Sequence, residues 1–237
     1  MAEADVSTYS FDDLEIRDEL LRGVYAYGFE KPSNIQYKSI PFINRGRDVI
    51  AQSQSGTGKT GAFTVGILNK VDVDLKQTQF IIMTPTHELA KQIFEVITEL
   101  SRYMKITIAK VIGKTNISDS ITELRRDPQI IVATPGRLLD MINRNIVYTD
   151  KLKTFVIDEA DEMLSSGFME SIYNIIKCIP KTSQICLFSA TLPPEILQLT
   201  EYFMKEPESI LVNRDELTLE GIKQFFVQLE QYRWKFD

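Results

Sequence analysis

The chain has 237 residues, 43% of them hydrophobic, enough for one large domain or two small ones with a sizeable core. Its 27 Lys and Arg stand against 33 Asp and Glu, a net charge of −6, so bulk charge offers no argument for a nucleic-acid partner. Two cysteines, Cys178 and Cys186, are too few for a disulfide framework, no apolar run reaches the ~18 residues of a membrane span, and the acidic start lacks the regions of a secretory signal; the chain reads as soluble and intracellular, cytoplasmic or nuclear.

Residues 1–28, with Leu14, Ile16, Leu20, Leu21 and Val24, read as a helical extension. A regular alternation follows: strand 48–53, helix 59–70, strand 80–84, helix 87–103, strand 106–112, helix 118–126, strand 130–133, helix 136–143, strand 154–157, helix 169–178, strand 185–188, helix 194–204 and strand 209–212. Most of the strands are near-continuous apolar runs, the pattern of strands buried on both faces of a parallel sheet. Strand, helix, strand repeated in this way predicts an α/β fold with a doubly wound, mostly parallel sheet flanked by helices. No low-complexity linker interrupts the middle of the chain, so residues 29–212 read as one domain and 213–237 as an extended exit segment. In such sheets ligands bind beyond the carboxyl ends of the strands.

Strand 48–53 runs into Gln54-Ser55-Gly56-Thr57-Gly58-Lys59-Thr60 and then a helix. Glycines let such a loop wrap so that backbone N–H groups converge on an anion, and the helix adds the positive end of its dipole. Lys59 is suited to the β- and γ-phosphates of a nucleotide and the Thr60 hydroxyl to Mg²⁺. Ser53 stands where the short pattern asks for its first glycine. A second acidic element comes at the end of strand 154–157, in Asp158-Glu159-Ala160-Asp161. An aspartate there can hold Mg²⁺ through water, and the adjacent glutamate can orient or deprotonate an attacking water. Taken alone, Asp158 reads equally well as a helix N-cap with Glu in the first turn.

Asp158–Asp161 spells DEAD, and with its companions the chain resembles the DEAD-box RNA helicase family over residues 10–237. Phe29-Glu30-Lys31-Pro32-Ser33-Asn34-Ile35-Gln36 resembles the family's Q motif, with Phe11 as its upstream aromatic. Pro85-Thr86-His87-Glu88-Leu89-Ala90 resembles motif Ia, Gly113-Lys114 falls at the glycine pair, Thr134-Pro135-Gly136-Arg137 resembles motif Ib, and Ser189-Ala190-Thr191 resembles motif III. The resemblance implies a first RecA-like, P-loop NTPase domain with ATP and Mg²⁺ as cofactors. It implies ATP binding by Phe29, Gln36, Ser55, Gly56, Thr57, Gly58, Lys59 and Thr60, and catalysis by Lys59, Asp158 and Glu159, with Thr60 and Asp158 toward the metal. RNA would be held by Pro85, Thr86, His87, Gly113, Lys114, Thr134, Pro135, Gly136 and Arg137. Ser189 and Thr191 would link Asp161 to domain closure.

The residue types fit these roles. A Gln offers a donor and an acceptor to the adenine edge, and an aromatic can stack on the base, although Phe29 in isolation reads as core. Strand-end turns with hydroxyls, backbone N–H groups and one Arg suit phosphates and sugars, hence little sequence preference. Basic residues outnumber acids six to two across 102–126, a modest support. Two positions depart from the family: motif Ia usually has Arg where this chain has His87, and the second glycine of the pair is Lys114. The Lys114 side chain either blocks close backbone approach to RNA or supplies a phosphate contact instead; RNA binding is expected to be weakened without being abolished.

The link at 215–226 resembles that of the initiation factor 4A group, while 51–55, with Ser53, resembles its exon-junction member; partners of the initiation-factor or exon-junction type both stay open. A family member continues into a second RecA-like domain bearing an arginine-rich motif toward the γ-phosphate, which nothing in this sequence resembles. The 237 residues alone are therefore expected to be nearly inactive. The motifs serve a helicase or a nucleotide-gated RNA clamp that holds RNA for protein partners, with a P-loop ATPase acting on DNA a distant third.

Overall fold

The computed structural model describes residues 9–211. A 3₁₀ turn, Phe11–Leu14, leads into helices α1 (Asp18–Tyr27) and α2 (Asn34–Asn44). The alternating body follows as β1 (Val49–Gln52), α3 (Lys59–Lys70), β2 (Phe80–Met83), α4 (His87–Leu100), β3 (Ile108–Val111), α5 (Ile117–Leu124), β4 (Ile130–Ala133) and α6 (Pro135–Asn143). It ends with β5 (Thr154–Asp158), α7 (Ala160–Ser165), α8 (Met169–Lys177), β6 (Gln184–Ser189), α9 (Pro194–Phe203) and β7 (Glu208–Leu211).

The strands form one seven-stranded sheet in the order β3-β4-β2-β5-β6-β1-β7, and every pairing is parallel. The helices divide by direction of travel. From β1 to β2 to β3 the chain moves one way across the sheet, and α3 and α4 lie on the face of Val49, Ala51, Phe80 and Ile82. From β3 onward it moves the other way, and α5 to α9 lie on the face of Ile81, Met83, Ile131 and Phe155. Right-handed crossovers require this switch of face when the direction reverses.

Each strand predicted from sequence is present, with ends shifted by a residue or two; β4 and α3 have the expected bounds. The central strands β2, β4, β5 and β6 are buried throughout, whereas β3 and β7, at the two edges, keep Lys110 and Glu208 partly exposed, as edge strands do. Helix α2 was not anticipated, and α7 only through the alternative reading of Asp158 as a helix N-cap. Pro41 inside α2 removes a helical donor and reads as a breaker, and α7 has only 6 residues. In the N-terminal stretch, Phe11, Leu14, Leu20 and Val24 enter the same apolar cluster as β1 and α3. There α1 crosses α4 so closely that a Cβ on Gly23 would lie 1.9 Å from the Leu100 carbonyl oxygen. The exit segment at 213–237 lies outside the described residues.

Buried polar side chains close the amino edge of the sheet. Asp48 accepts the N–H of Ile185 and the N–H of Lys205, each at 2.7 Å. Gln79 and Gln129 bond the backbone of the 72–75 segment, and Gln129 also accepts the Thr107 N–H at 2.8 Å. Gln184 accepts from Lys70 Nζ at 2.7 Å and from Thr154 Oγ1 at 2.9 Å. Burial pushes the Lys70 ammonium below its ordinary pKa, with Lys153 nearby adding to the effect. Strand starts are thus tied to one another. Among the described residues, no helix is long and apolar enough to cross a membrane.

Candidate functional site

The loops after β1, β2, β3, β4, β5 and β6 all emerge at the carboxyl edge, so parallel topology alone brings the sequence motifs together. In the loop after β1, Gly56 and Gly58 adopt φ of 85° and 100°, the left-handed region open to glycine. Lys59 begins α3 and is buried, and its Nζ donates to the Ser53 carbonyl at 2.7 Å. The Thr57 hydroxyl donates to the Gln54 carbonyl at 2.7 Å. The loop is therefore folded around its own lysine. Ser55 and Gly56 are exposed, and Thr60, half-buried, has no hydrogen bond from its hydroxyl among the described residues. The first N–H groups of α3 have no intrahelical acceptor and face outward from its positive end.

Gln36, buried near the start of α2, spans this loop and its own helix. Its Oε1 accepts the Ser33 N–H at 2.9 Å and its Nε2 donates to the Gly58 carbonyl at 3.1 Å. One amide hydrogen and one lone pair remain. Phe29 is half-buried, lies parallel to Phe11 at 6.0 Å between centroids and meets Tyr27 edge-on at 5.0 Å. Core packing and a free aromatic surface thus coexist in Phe29. One residue here escaped the sequence reading. Gly61, in the first turn of α3, has no side chain because a Cβ would fall 2.5 Å from Gln36 Nε2 and 3.0 Å from the Phe29 ring. A glycine inside a helix costs about 1 kcal/mol against alanine, and that local penalty was the available signal.

Asp158 closes β5 beneath the loop. It is buried, and burial raises its carboxyl from 3.8 to about 7; Lys59 opposes the rise, and Glu159 and Asp161 add to it. Among the described residues its Oδ1 accepts only the N–H of Glu159, at 3.1 Å. The N-cap position of α7 belongs to Glu159, which makes no side-chain cap bond, so Asp158 is not the cap that it resembles in isolation. Glu159 sits at φ 53°, ψ 54°, a conformation that costs a non-glycine residue on the order of 1 kcal/mol or more and gathers at functional sites. Its half-buried carboxylate has no partner among the described residues.

Asp161 is tied to the loop after β6. Its Oδ2 accepts the Thr191 N–H at 2.9 Å and the Thr191 hydroxyl at 2.8 Å, and its own N–H donates to Ser189 Oγ at 3.2 Å. Partial burial works to raise its pKa, but the hydrogen bonds from Thr191 and Ser189 outweigh it and hold the carboxyl below its usual value.

On the far side of β5, three loops form a second cluster. Thr86 caps α4, accepting the Leu89 N–H at 3.2 Å, and Pro85 is buried. The Gly113 N–H donates to Thr134 Oγ1 at 3.1 Å, and His87 Nε2 lies 3.4 Å from where a Gly113 Cβ would be. Lys114 projects from the loop tip at φ 52°, a left-handed conformation. Pro135 opens α6, where its missing N–H costs nothing, and Gly136 leaves open space beside it. Arg137 turns sideways: it donates to Ser120 Oγ at 2.8 Å and to the Thr115 carbonyl at 2.7 Å, which fixes the 113–116 loop and leaves only its remaining N–H groups for a ligand. Of the basic residues in 102–126, only Lys114 follows a strand onto this edge; Arg102, Lys105, Arg125 and Arg126 lie toward the opposite edge, so the local excess of positive charge does not form one face. Among the described residues no group of three or more His, Cys, Asp or Glu could hold a metal unaided.

A family model described as DEAD/DEAH box helicase matches residues 33–199. The ATP-dependent RNA helicase eIF4A of Meyerozyma guilliermondii is 52% identical over 233 residues, 98% of this chain and 59% of that protein. Its namesake from Aspergillus niger is 51% identical, covering 98% and 58%. Among solved structures, a DEAD box protein from the hyperthermophile Methanococcus jannaschii superposes with a TM-score of 0.82 at 39% identity, over 85% of this chain and 55% of that one. S. cerevisiae Dbp5 bound to RNA and ADP BeF3 gives 0.83 at 36% identity, over 92% and 55%. The chain thus spans about three-fifths of the length of the curated relatives it matches.

Proposed function

The chain belongs to the DEAD/DEAH box helicase family, and on that premise we propose that it is the nucleotide-binding part of an ATP-dependent RNA helicase, an RNA-stimulated ATP hydrolase. The observation that carries this reading is the meeting of Gln36, Lys59 and Asp158 around one glycine-rich loop.

The free amide hydrogen and lone pair of Gln36 match the acceptor and donor on the adenine edge, and guanine reverses that pattern. Phe29 packs beside the base. Lys59 exchanges its bond to the Ser53 carbonyl for the β- and γ-phosphates, which also receive the free N–H groups of α3. The donor set fits Mg²⁺: the unbonded Thr60 hydroxyl and the Asp158 carboxylate would hold it, the latter through water. Bound there, Mg²⁺ neutralises charge on the phosphates. A cation also removes the cost of ionising a buried Asp158. Glu159, unpartnered and next in sequence, accepts a proton from the attacking water. Asp161, through Thr191 and Ser189, carries the state of this edge to the loop after β6.

RNA lies across Pro85–His87, Gly113–Lys114 and Thr134–Arg137, held by its backbone with little sequence preference. The 52% identity to proteins named eIF4A supports protein partners of the initiation-factor type. The test is RNA-stimulated ATP hydrolysis by the full-length protein, with and without Glu159→Gln. We expect stimulation that the variant loses; turnover indifferent to both RNA and Glu159 would refute the reading. Single-turnover hydrolysis measured beside RNA release distinguishes an unwinding enzyme from a nucleotide-gated clamp, which would hold RNA long after hydrolysis.

A further inference from the structure

We propose that the groove between α8, the start of β6 and the α9–β7 turn is a docking site for an acidic peptide segment that carries a large apolar side chain. The groove has a volume of about 490 Å³ and lies at the amino edge of the sheet, away from the nucleotide loop. An occupant would leave the carboxyl edge free, so this inference stands apart from the nucleotide and RNA assignments.

The floor is apolar and not fully closed. Most core residues are fully buried, but Ile176, Ile179, Ile185 and Met204 keep 7%, 8%, 5% and 9% of their surface exposed, and all four line this groove. At the rim, Tyr202 is 70% exposed, a cost that an aromatic ring bears until something covers it. Tyr202 is held in place by Phe203 at 4.9 Å and Tyr173 at 5.9 Å between ring centroids, so the apolar surface is pre-formed.

The charge at the rim selects the occupant. Lys177, Lys181 and Lys205 line the groove, and none forms an ion pair among the described residues. Lys177 lies over the Tyr173 ring at 3.9 Å, and Lys205 Nζ donates to the Lys181 carbonyl at 2.7 Å, which fixes two of the three ammonium groups. The one acid in the lining, Asp48, is buried with both oxygens taken by backbone N–H groups. Glu201 and Glu206, close in sequence, do not line it. A positive rim on a chain of net charge −6 is complementary to Asp and Glu flanking an apolar anchor. The aliphatic floor has no donors or acceptors for a base edge, which favours a peptide over RNA.

The test uses a fluorescein-labelled twelve-residue peptide with Asp and Glu around a central Phe and Leu, titrated into the 237-residue protein carrying Ile and Met methyl labels. We expect saturable binding with shifts confined to the methyls of Ile176, Ile179, Ile185 and Met204. Affinity should fall about fivefold or more for Lys177→Glu with Lys181→Glu, and likewise when the peptide's acids become Asn and Gln. Replacing its Phe and Leu with Ser should abolish binding. The lysines are exposed, so these variants fold, and a thermal melt verifies it. No saturable binding, shifts centred on the carboxyl edge, indifference to the peptide's charge, or shifts at these methyls from single-stranded RNA in place of the peptide would each overturn the proposal.

Discussion

The side-chain amide of Gln36 donates to the carbonyl of Gly58 at 3.1 Å, so the residue assigned to the base is bonded directly to the loop assigned to the phosphates. Gly61 keeps the space for that bond open. Helix propensity by itself makes Gly61→Ala stabilising by about 1 kcal/mol. The contact at 2.5 Å to Gln36 Nε2 predicts the opposite for function: adenine nucleotide affinity should drop about tenfold or more, because the base and phosphate halves of the site are pushed apart. Nucleotide titration beside a thermal melt checks this. An alanine variant that melts higher and binds ATP unchanged would remove Gly61 from the site.

Burial of Asp158 has a signature in pH. Below about pH 4 its carboxyl is protonated in both folded and unfolded chains. Between its ordinary 3.8 and about 7 the unfolded chain has lost that proton while the folded chain retains it, so stability falls as pH rises through this window and then levels off. The full loss is on the order of 4 kcal/mol. Asp158→Asn lacks this loss. Denaturant melts without metal or nucleotide should show the variant gaining on the parent from pH 4 to 7, and a constant difference across that range contradicts the assignment.

Thr191 and Ser189 hold Asp161 by three hydrogen bonds. Replacing both by alanine removes two of them and leaves the Thr191 backbone N–H. Nucleotide affinity should change little, since none of these side chains bonds the phosphate loop. In the full-length protein, ATP hydrolysis and RNA unwinding should separate, unwinding falling further. Equal retention of both activities would show that the link carries nothing.

Lys114 occupies a left-handed conformation better suited to glycine. Lys114→Gly should therefore stabilise the fold by about 1 kcal/mol, read as a rise in melting temperature. Combined with His87→Arg it should tighten RNA binding in the full-length protein, because glycine permits close backbone approach and Arg supplies a permanent charge. Unchanged RNA affinity in the double variant would mean that neither position touches RNA.

Much of this architecture is legible in the sequence for simple reasons. Strands buried on both faces must be apolar runs, and in a parallel sheet the residues after such runs share one edge; Lys59, Asp158, Asp161 and Thr134 could be placed together on that ground alone. What stayed hidden depends on tertiary partners. Pro41 lies inside α2, where a proline ordinarily argues against a helix, yet it is tolerated near the helix end. Gly61 looked like an ordinary glycine until Gln36 and Phe29 were seen against it. Arg137 read as a free phosphate ligand, yet Ser120 and Thr115, distant in sequence, claim part of its guanidinium.

The central claim is that this edge of the sheet recognises adenine nucleotide through Gln36 and Lys59. Calorimetric titration of the 237-residue protein with ATP and with GTP, each with Mg²⁺, tests it most directly in the parent, Gln36→Ala and Lys59→Ala. ATP should bind about tenfold or more tightly than GTP, the gap should close in Gln36→Ala, and Lys59→Ala should lose both nucleotides. Equal affinity for ATP and GTP in the parent, or ATP binding untouched by loss of Lys59, would contradict the account.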